Sequence, residues 1–318
     1  MISKLRENRV LRSYLGGKRI SNFFNQSGED GYYPEDWTAS VVKALNPDSN
    51  NAECGLGHLE DGRRVKDVIH GEMRCLVKLL DSSERLVIQV HPTRQFAEQY
   101  FNSKYGKTEC WYFLDCEENA CVYLGFKKGI TYEKWKDAFE KQDSDLMLSL
   151  LNKVSVKKGD CIFVNGGEPH AIGAGCFMIE VQEPSDLMGV VERHTVSGRE
   201  LCDLRMHGGI GFENMLKMFT YQGYTLEEVI DKYKVKPRKI VENIYSYVDN
   251  RYTDKFNLIQ IKDKVDYYWP VTNGVLIITN GKGIINGLEV QKGDRVFVDD
   301  CMGLHSDGTE NFEAVLCF

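Results

Sequence analysis

No apolar run in this 318-residue sequence approaches the length of about 18 residues that a membrane-spanning helix needs, which excludes a helical membrane protein. Excess positive charge is missing too. Forty Lys and Arg against 47 Asp and Glu leave a net charge of −7, whereas a duplex binder needs a basic face to displace counterions, so nucleic acid is excluded as a partner. A local basic patch for one phosphate, which asks for about two or three cations, is still compatible with this balance. Ten cysteines are present, but none stands in a C-x-x-C pair, which argues against a structural zinc site. Most, such as Cys75, Cys110, Cys161 and Cys317, sit in apolar strand-like runs and read as buried reduced thiols. The opening Met1-Ile2-Ser3-Lys4-Leu5-Arg6-Glu7 is charged and has no apolar core, so the expectation is a cytoplasmic protein without a secretory signal. Gly208-Gly209-Ile210-Gly211 follows no apolar strand, and a dinucleotide site is rejected.

What is present is ordinary for a globular chain, with 42% hydrophobic and 27% charged residues, and a length suited to one large domain or two of usual size. Residues 1 to about 60 read as loops and short elements wrapped on a core. Within them Pro34-Glu35-Asp36-Trp37 suits a helix start or strand entry, with Trp37 either a core aromatic or a sugar platform. Cys75–Leu80 and Leu86–Val90 form a strand, loop, strand pattern that Trp111–Leu114 and Ala120–Phe126 continue. Trp135, Ala138 and Phe139, then Met147, Leu150 and Leu151 after a cap at Ser144, predict two short inserted helices. Phe212, Met215, Leu216 and Phe219 predict another, and Thr225-Leu226-Glu227-Glu228 is a capping-box pattern opening a further one.

An internal repeat organises the whole. Val156-Lys157-Lys158-Gly159-Asp160-Cys161-Ile162-Phe163-Val164 matches Val290-Gln291-Lys292-Gly293-Asp294-Arg295-Val296-Phe297-Val298 at six of nine positions, offset by 134. Each copy reads as a Lys-Gly-Asp turn feeding a strand. Two copies so far apart predict a mainly β chain of two jelly-roll barrels, with the inserted short helices and a helical segment between them. Residues 1–235 would form the first unit and 236–318 the second, joined near Lys236-Pro237-Arg238-Lys239. The place matching His170 by offset is Leu304, with His305 one residue on. His305 is therefore read as an ordinary polar residue and the second unit as metal-free.

The first unit carries the chemistry. In Arg85-Leu86-Val87-Ile88-Gln89-Val90-His91-Pro92, strand alternation puts Gln89 and His91 on one face. Gly106-Lys107-Thr108-Glu109 brings a carboxylate, and Gly166-Gly167-Glu168-Pro169-His170 a second histidine at a turn. Gln89, His91, Glu109 and His170 make a mixed N/O set that leaves one negative charge against a divalent cation, so a bound ion keeps net positive character for a water or a substrate oxygen. The alternative is a pair of polar residues on a solvent-facing strand edge.

Ile88–Pro92, Gly106–Tyr112 and Pro169–Gly175, with Leu15–Lys18 and Tyr33–Trp37, resemble blocks of the type I mannose-6-phosphate isomerases, short bacterial form, over the stretch from the N-terminus to about Tyr221. The resemblance implies a cupin fold and a zinc-dependent aldose–ketose isomerase that interconverts mannose 6-phosphate and fructose 6-phosphate. It also implies one Zn2+ per chain on Gln89, His91, Glu109 and His170, a hexose phosphate as the small-molecule partner, and a monomer or homodimer. Lys107 would share the face of Glu109 and contact substrate or carry the proton. The family places an Arg twenty residues after the last metal histidine; here that place is Val190, and Arg193, three residues on, is the candidate substitute. Phosphate candidates are Lys18, Lys107, Lys127, Lys128 and Arg193. Another metal-dependent cupin sugar isomerase, or a sugar-phosphate-binding cupin without activity, are the alternatives that Val190 leaves open.

Overall fold

The computed structural model describes residues 1–46, 51, 53–267, 270–299, 304–306 and 311–318. The side chain of His305 lies outside the described residues. The chain is mainly β, built of several sheets with short helices between strands. Two six-stranded sheets face each other. The first runs Arg9–Val10, Glu35–Thr38, Leu76–Ser82, Cys176–Gln182, Glu109–Cys116, Cys161–Val164, every neighbour antiparallel. The second runs Gly189–Val190, Gln89–Val90, His170–Ile172, Cys121–Lys127, with Leu151–Ser155 and Gly223–Tyr224 both on the last of these.

Side-chain alternation sorts one strand into two cores. Along Glu109–Cys116, Trp111 and Phe113 join Leu80, Met178, Val122 and Ile172 between the two sheets. Cys110 and Tyr112 point the other way and pack with Val77, Ile179 and Val181 against Leu258, Ile277, Phe297 and Val315. The latter belong to a seven-stranded sheet ordered Ile2–Lys4, Arg295–Val298, Gly274–Asn280, Glu313–Cys317, Leu258–Lys262, Ile244–Val248, Arg238–Val241. Its other face closes over Ile285 and Val290 of a four-stranded sheet. Apolar seams therefore lie on both sides of the strand that carries Glu109.

Both repeat copies end in strands, Cys161–Val164 and Arg295–Val298. Their turns require glycine, because Gly159 (φ 86°) and Gly293 (φ 94°) occupy the left-handed region. The helices Tyr132–Lys141 and Ser144–Ser149 are present, the second shorter than the spacing predicts, because Leu150 caps it and Leu151 opens the strand Leu151–Ser155. The second is capped by Asp143 rather than Ser144, whose backbone is already helical. Trp135, Phe139 and Met147 pack with Phe126 and Met215 on the outer face of the second sheet. Leu226–Tyr233 opens with the full Thr225/Glu228 capping box. Leu86–Ile88, read as strand, is irregular: Leu86 N–H donates to Ile172 O and Ile88 O accepts from Val191 N–H, but the Ile88 N–H donates to the Glu192 carboxylate, and the strand is confined to Gln89–Val90. Among the described residues no helix is long and apolar enough to cross a membrane.

Candidate metal centre

Two glycine-bearing segments converge on the carbonyl of Pro92, which closes the segment carrying His91. A Cβ on Gly106 would lie 2.6 Å from that oxygen and one on Gly166 2.7 Å from it, so neither position admits a side chain. Lys107 N–H donates to Pro92 O (2.9 Å) and Gly167 N–H to His91 O (2.7 Å), stitching the three segments together. In the second sheet Gln89 pairs with His170 on one side and Val190 on the other. Glu109 opens its strand in the first sheet, paired to Val164 and Gln182. The sheets thus present His91 and His170, rings 4.7 Å apart, to a carboxylate opposite.

Candidate ligand atoms of His91, Glu109 and His170 all lie within 4.8 Å of one another, and all three residues are buried. His91 Nε2 is 3.2 Å from Glu109 Oε2, and His170 Nε2 is 3.4 Å from Glu109 Oε1. The far nitrogens fix the tautomers: Nδ1 of His170 lies 2.9 Å from Glu168 O and Nδ1 of His91 3.2 Å from Leu187 O, so each donates its proton there. Both Nε2 lone pairs then face the carboxylate, as metal-ligating imidazoles require. Burial, then the Lys107 charge, pushes His91 down to about 4, and burial lowers His170. Burial alone would raise Glu109, but Lys107, His91 and His170 overcome it and hold the carboxyl well below its usual range. Neutral imidazoles and an ionised carboxylate are the protonation states a divalent cation needs.

The residues fit such an ion on a further ground. Both Glu109 oxygens and His170 Nε2 are buried without a hydrogen-bond partner, an arrangement that is costly in a closed interior unless something binds there. The Lys107 ammonium, 3% exposed, meets part of that demand, 2.7 Å from His91 Nε2 and 3.2 Å from Glu109 Oε2. Glu183 supports the same strand, accepting from Thr108 N–H and pairing with Arg94 and Lys255.

Beside this cluster is a recess of about 40 Å³ lined by Gln89, Lys107, Val190, Arg12, Lys78 and Arg205, among others. It adjoins a more open cavity of about 390 Å³, with Arg12, Met188 and Arg205 common to both. Lys78 pairs with Glu180 at 2.7 Å, and Arg12 with Glu35 (3.2 Å) and Asp186 (3.1 Å). Trp37, fully buried, donates to Glu35 and lies under the Lys78 and Arg12 charges, so it is a core aromatic that supports these ion pairs.

Of the residues singled out in the sequence, His91, Glu109, His170 and Lys107 meet, and Gln89 lines the adjoining recess. Arg193 stands apart, its guanidinium 2.7 Å from Asp203 and stacked over Phe212. Val190 is buried in apolar surroundings. Lys18 pairs with Glu29, Lys127 with Ser149 O and Lys128 with Glu228, all at exposed positions away from the recess. Arg12, Lys78 and Arg205 escaped the sequence reading. For Arg12 a signal existed, a lone cation just ahead of the Leu15-Gly16-Gly17-Lys18 block, whereas Lys78 looked like an interruption in an apolar strand.

No family model matches the chain. ManA, the mannose-6-phosphate isomerase of Bacillus subtilis, is 40% identical over 111 residues, 35% of this chain and 34% of that protein. The mannose-6-phosphate isomerase of Streptococcus mutans is 37% identical over 111 residues, with the same shares. The matched stretch thus spans about a third of the length of these curated relatives. The crystal structure of the mannose 6-phosphate isomerase from Bacillus subtilis superposes with a TM-score of 0.76 over 99% of both chains, at 20% identity. The chain has the fold of the phosphomannose isomerases. A putative mannosephosphate isomerase from Archaeoglobus fulgidus gives 0.71 over 100% of this chain and 97% of its own, at 18% identity. The superposition takes in the seven-stranded sheet as well as the sheets that carry His91, Glu109 and His170.

Proposed function

We propose that this chain is a zinc-dependent isomerase that interconverts mannose 6-phosphate and fructose 6-phosphate through an enediol or enediolate. The observation that carries the reading is the buried convergence of His91, Glu109 and His170 with both Nε2 lone pairs inward, in a chain whose curated relatives are named for this reaction. Zn2+ held by these three residues and Gln89 would stabilise the negative charge that develops on two adjacent sugar oxygens. Lys107 reaches the same space and is assigned the proton transfer between the neighbouring carbons. Arg12 and Arg205, at the join between the recess and the outer cavity, are assigned the phosphate, since two guanidiniums there supply what Val190 cannot.

A second reading, a sugar-phosphate-binding protein without turnover, draws on one observation: Val190 stands where the resemblance implies an Arg, and Arg193 is engaged elsewhere. A coupled assay with mannose 6-phosphate, run beside free mannose, separates the two. Isomerisation of the phosphorylated sugar alone, abolished in Lys107→Met, supports the first reading. Binding of mannose 6-phosphate by zinc-loaded protein with no fructose 6-phosphate formed supports the second.

A further inference from the structure

A cavity of about 780 Å³ opens on the other side of the first sheet from the metal centre, between that sheet and the seven-stranded one. Its floor includes Tyr112, which points away from the Glu109 side of their common strand, with Gln260 Nε2 donating to the Tyr112 hydroxyl at 3.0 Å. Both repeat turns reach it, through Lys158 and Lys292. Arg19 and Lys262 also line it, against the carboxylates Asp115 and Glu313. Those two carboxylates are already engaged, Asp115 with Arg19 at 3.4 Å and Glu313 with Lys262 at 3.5 Å.

The charges of the two turn lysines are not met in this way. The aspartate of each Lys-Gly-Asp turn is committed elsewhere: Asp160 Oδ2 pairs with Lys234 and Asp294 Oδ2 with Lys4, each at 2.8 Å. The same oxygens accept from the turn backbone at Lys157 and Gln291. Lys158 and Lys292 are exposed, with no ion-pair partner among the described residues. Repetition has thus placed two equivalent ammonium groups at one cavity, in a protein whose net charge is −7. Concave walls concentrate such a field. The rest of the lining is rich in groups that bond hydroxyls, including Asn22, Asn280, Asn311 and Thr279.

We propose that this cavity is a second ligand site, separate from the metal centre, that takes a phosphomonoester of a polyhydroxylated metabolite, with Lys158 and Lys292 on the phosphate and the amides on the hydroxyls. Its volume lies in the ordinary range for small-molecule sites. The proposal stands apart from the isomerase reading, because it uses none of the residues assigned to that reaction.

Titration calorimetry of the full zinc-loaded chain with glucose 6-phosphate tests it, with glucose and inorganic phosphate as comparison probes. The expected result is a binding event for the ester that Lys158→Ala/Lys292→Ala weakens at least tenfold, while zinc content, thermal midpoint and activity at the metal centre are unchanged. Gln260→Ala should weaken the ester while leaving inorganic phosphate unaffected. Equal affinity of wild type and the double lysine variant for the ester overturns the proposal. So does inorganic phosphate binding as tightly as the ester, or no ester binding outside the metal centre.

Discussion

At the scale of single residues, the decisive feature is charge confined to a dry space. Glu109 is held ionised chiefly by the Lys107 ammonium, and Glu109→Gln removes the anion while keeping the shape. The expected outcome is loss of the bound metal by elemental analysis, with an unchanged circular dichroism spectrum. Glu35 gives a second test. Burial by itself would raise its pKa, but Arg12, Lys78 and the Trp37 and Tyr14 hydrogen bonds hold it at about 2. A depressed carboxyl stabilises the fold above its unfolded pKa, and the contribution fades as pH falls towards the folded value. Urea unfolding should therefore find the stability advantage of wild type over Glu35→Gln narrowing by about 2 kcal/mol between pH 7 and pH 3; a constant gap contradicts the assignment. His91, Glu109 and His170 were legible through the three family blocks that carry them, since strand alternation alone left Gln89 and His91 equally readable as a polar edge. Arg12 and Lys78 were not, because their partners Asp186 and Glu180 lie more than a hundred residues away in sequence.

At the scale of elements, the position of Glu109 depends on how closely Gly106 approaches Pro92. Gly106→Ala puts a Cβ against backbone that cannot retreat, and overpacking of this kind costs about 1–3 kcal/mol. We expect metal affinity to fall although no ligand is changed, measured by competition with a chelator. Removing the Thr225 cap should cost about 1 kcal/mol in chemical unfolding. Some helices were readable, since Trp135, Ala138 and Phe139 mark a face and Thr225 with Glu228 mark a start, whereas Arg94–Phe101, capped by Thr93, and the five-residue helices Arg19–Phe23 and Asp203–His207 were not read. The strand Gln89–Val90 was read too long, because the donor at Ile88 is taken by Glu192, a side chain that no local pattern reveals.

At the scale of the whole molecule, the Lys-Gly-Asp repeat was read as marking two β units; its second copy feeds Arg295–Val298 of a seven-stranded sheet that also takes in Ile2–Lys4. The sequence did not reveal that Ile2–Lys4 would pair with Arg295–Val298, a register set by contacts nearly the length of the chain apart. The face formed by Cys110, Tyr112, Ile179 and Val181 is covered by Leu258, Ile277, Phe297 and Val315. A chain ending at residue 235 exposes that surface and should aggregate on expression, as judged by the soluble fraction.

Zinc content of the purified, desalted protein, measured beside the Glu109→Gln and His170→Ala variants, tests the metal centre most directly. Close to one zinc per chain is expected in the wild type and next to none in either folded variant. Equal zinc in all three, or a wild type that holds no divalent metal even after reconstitution, would contradict that expectation.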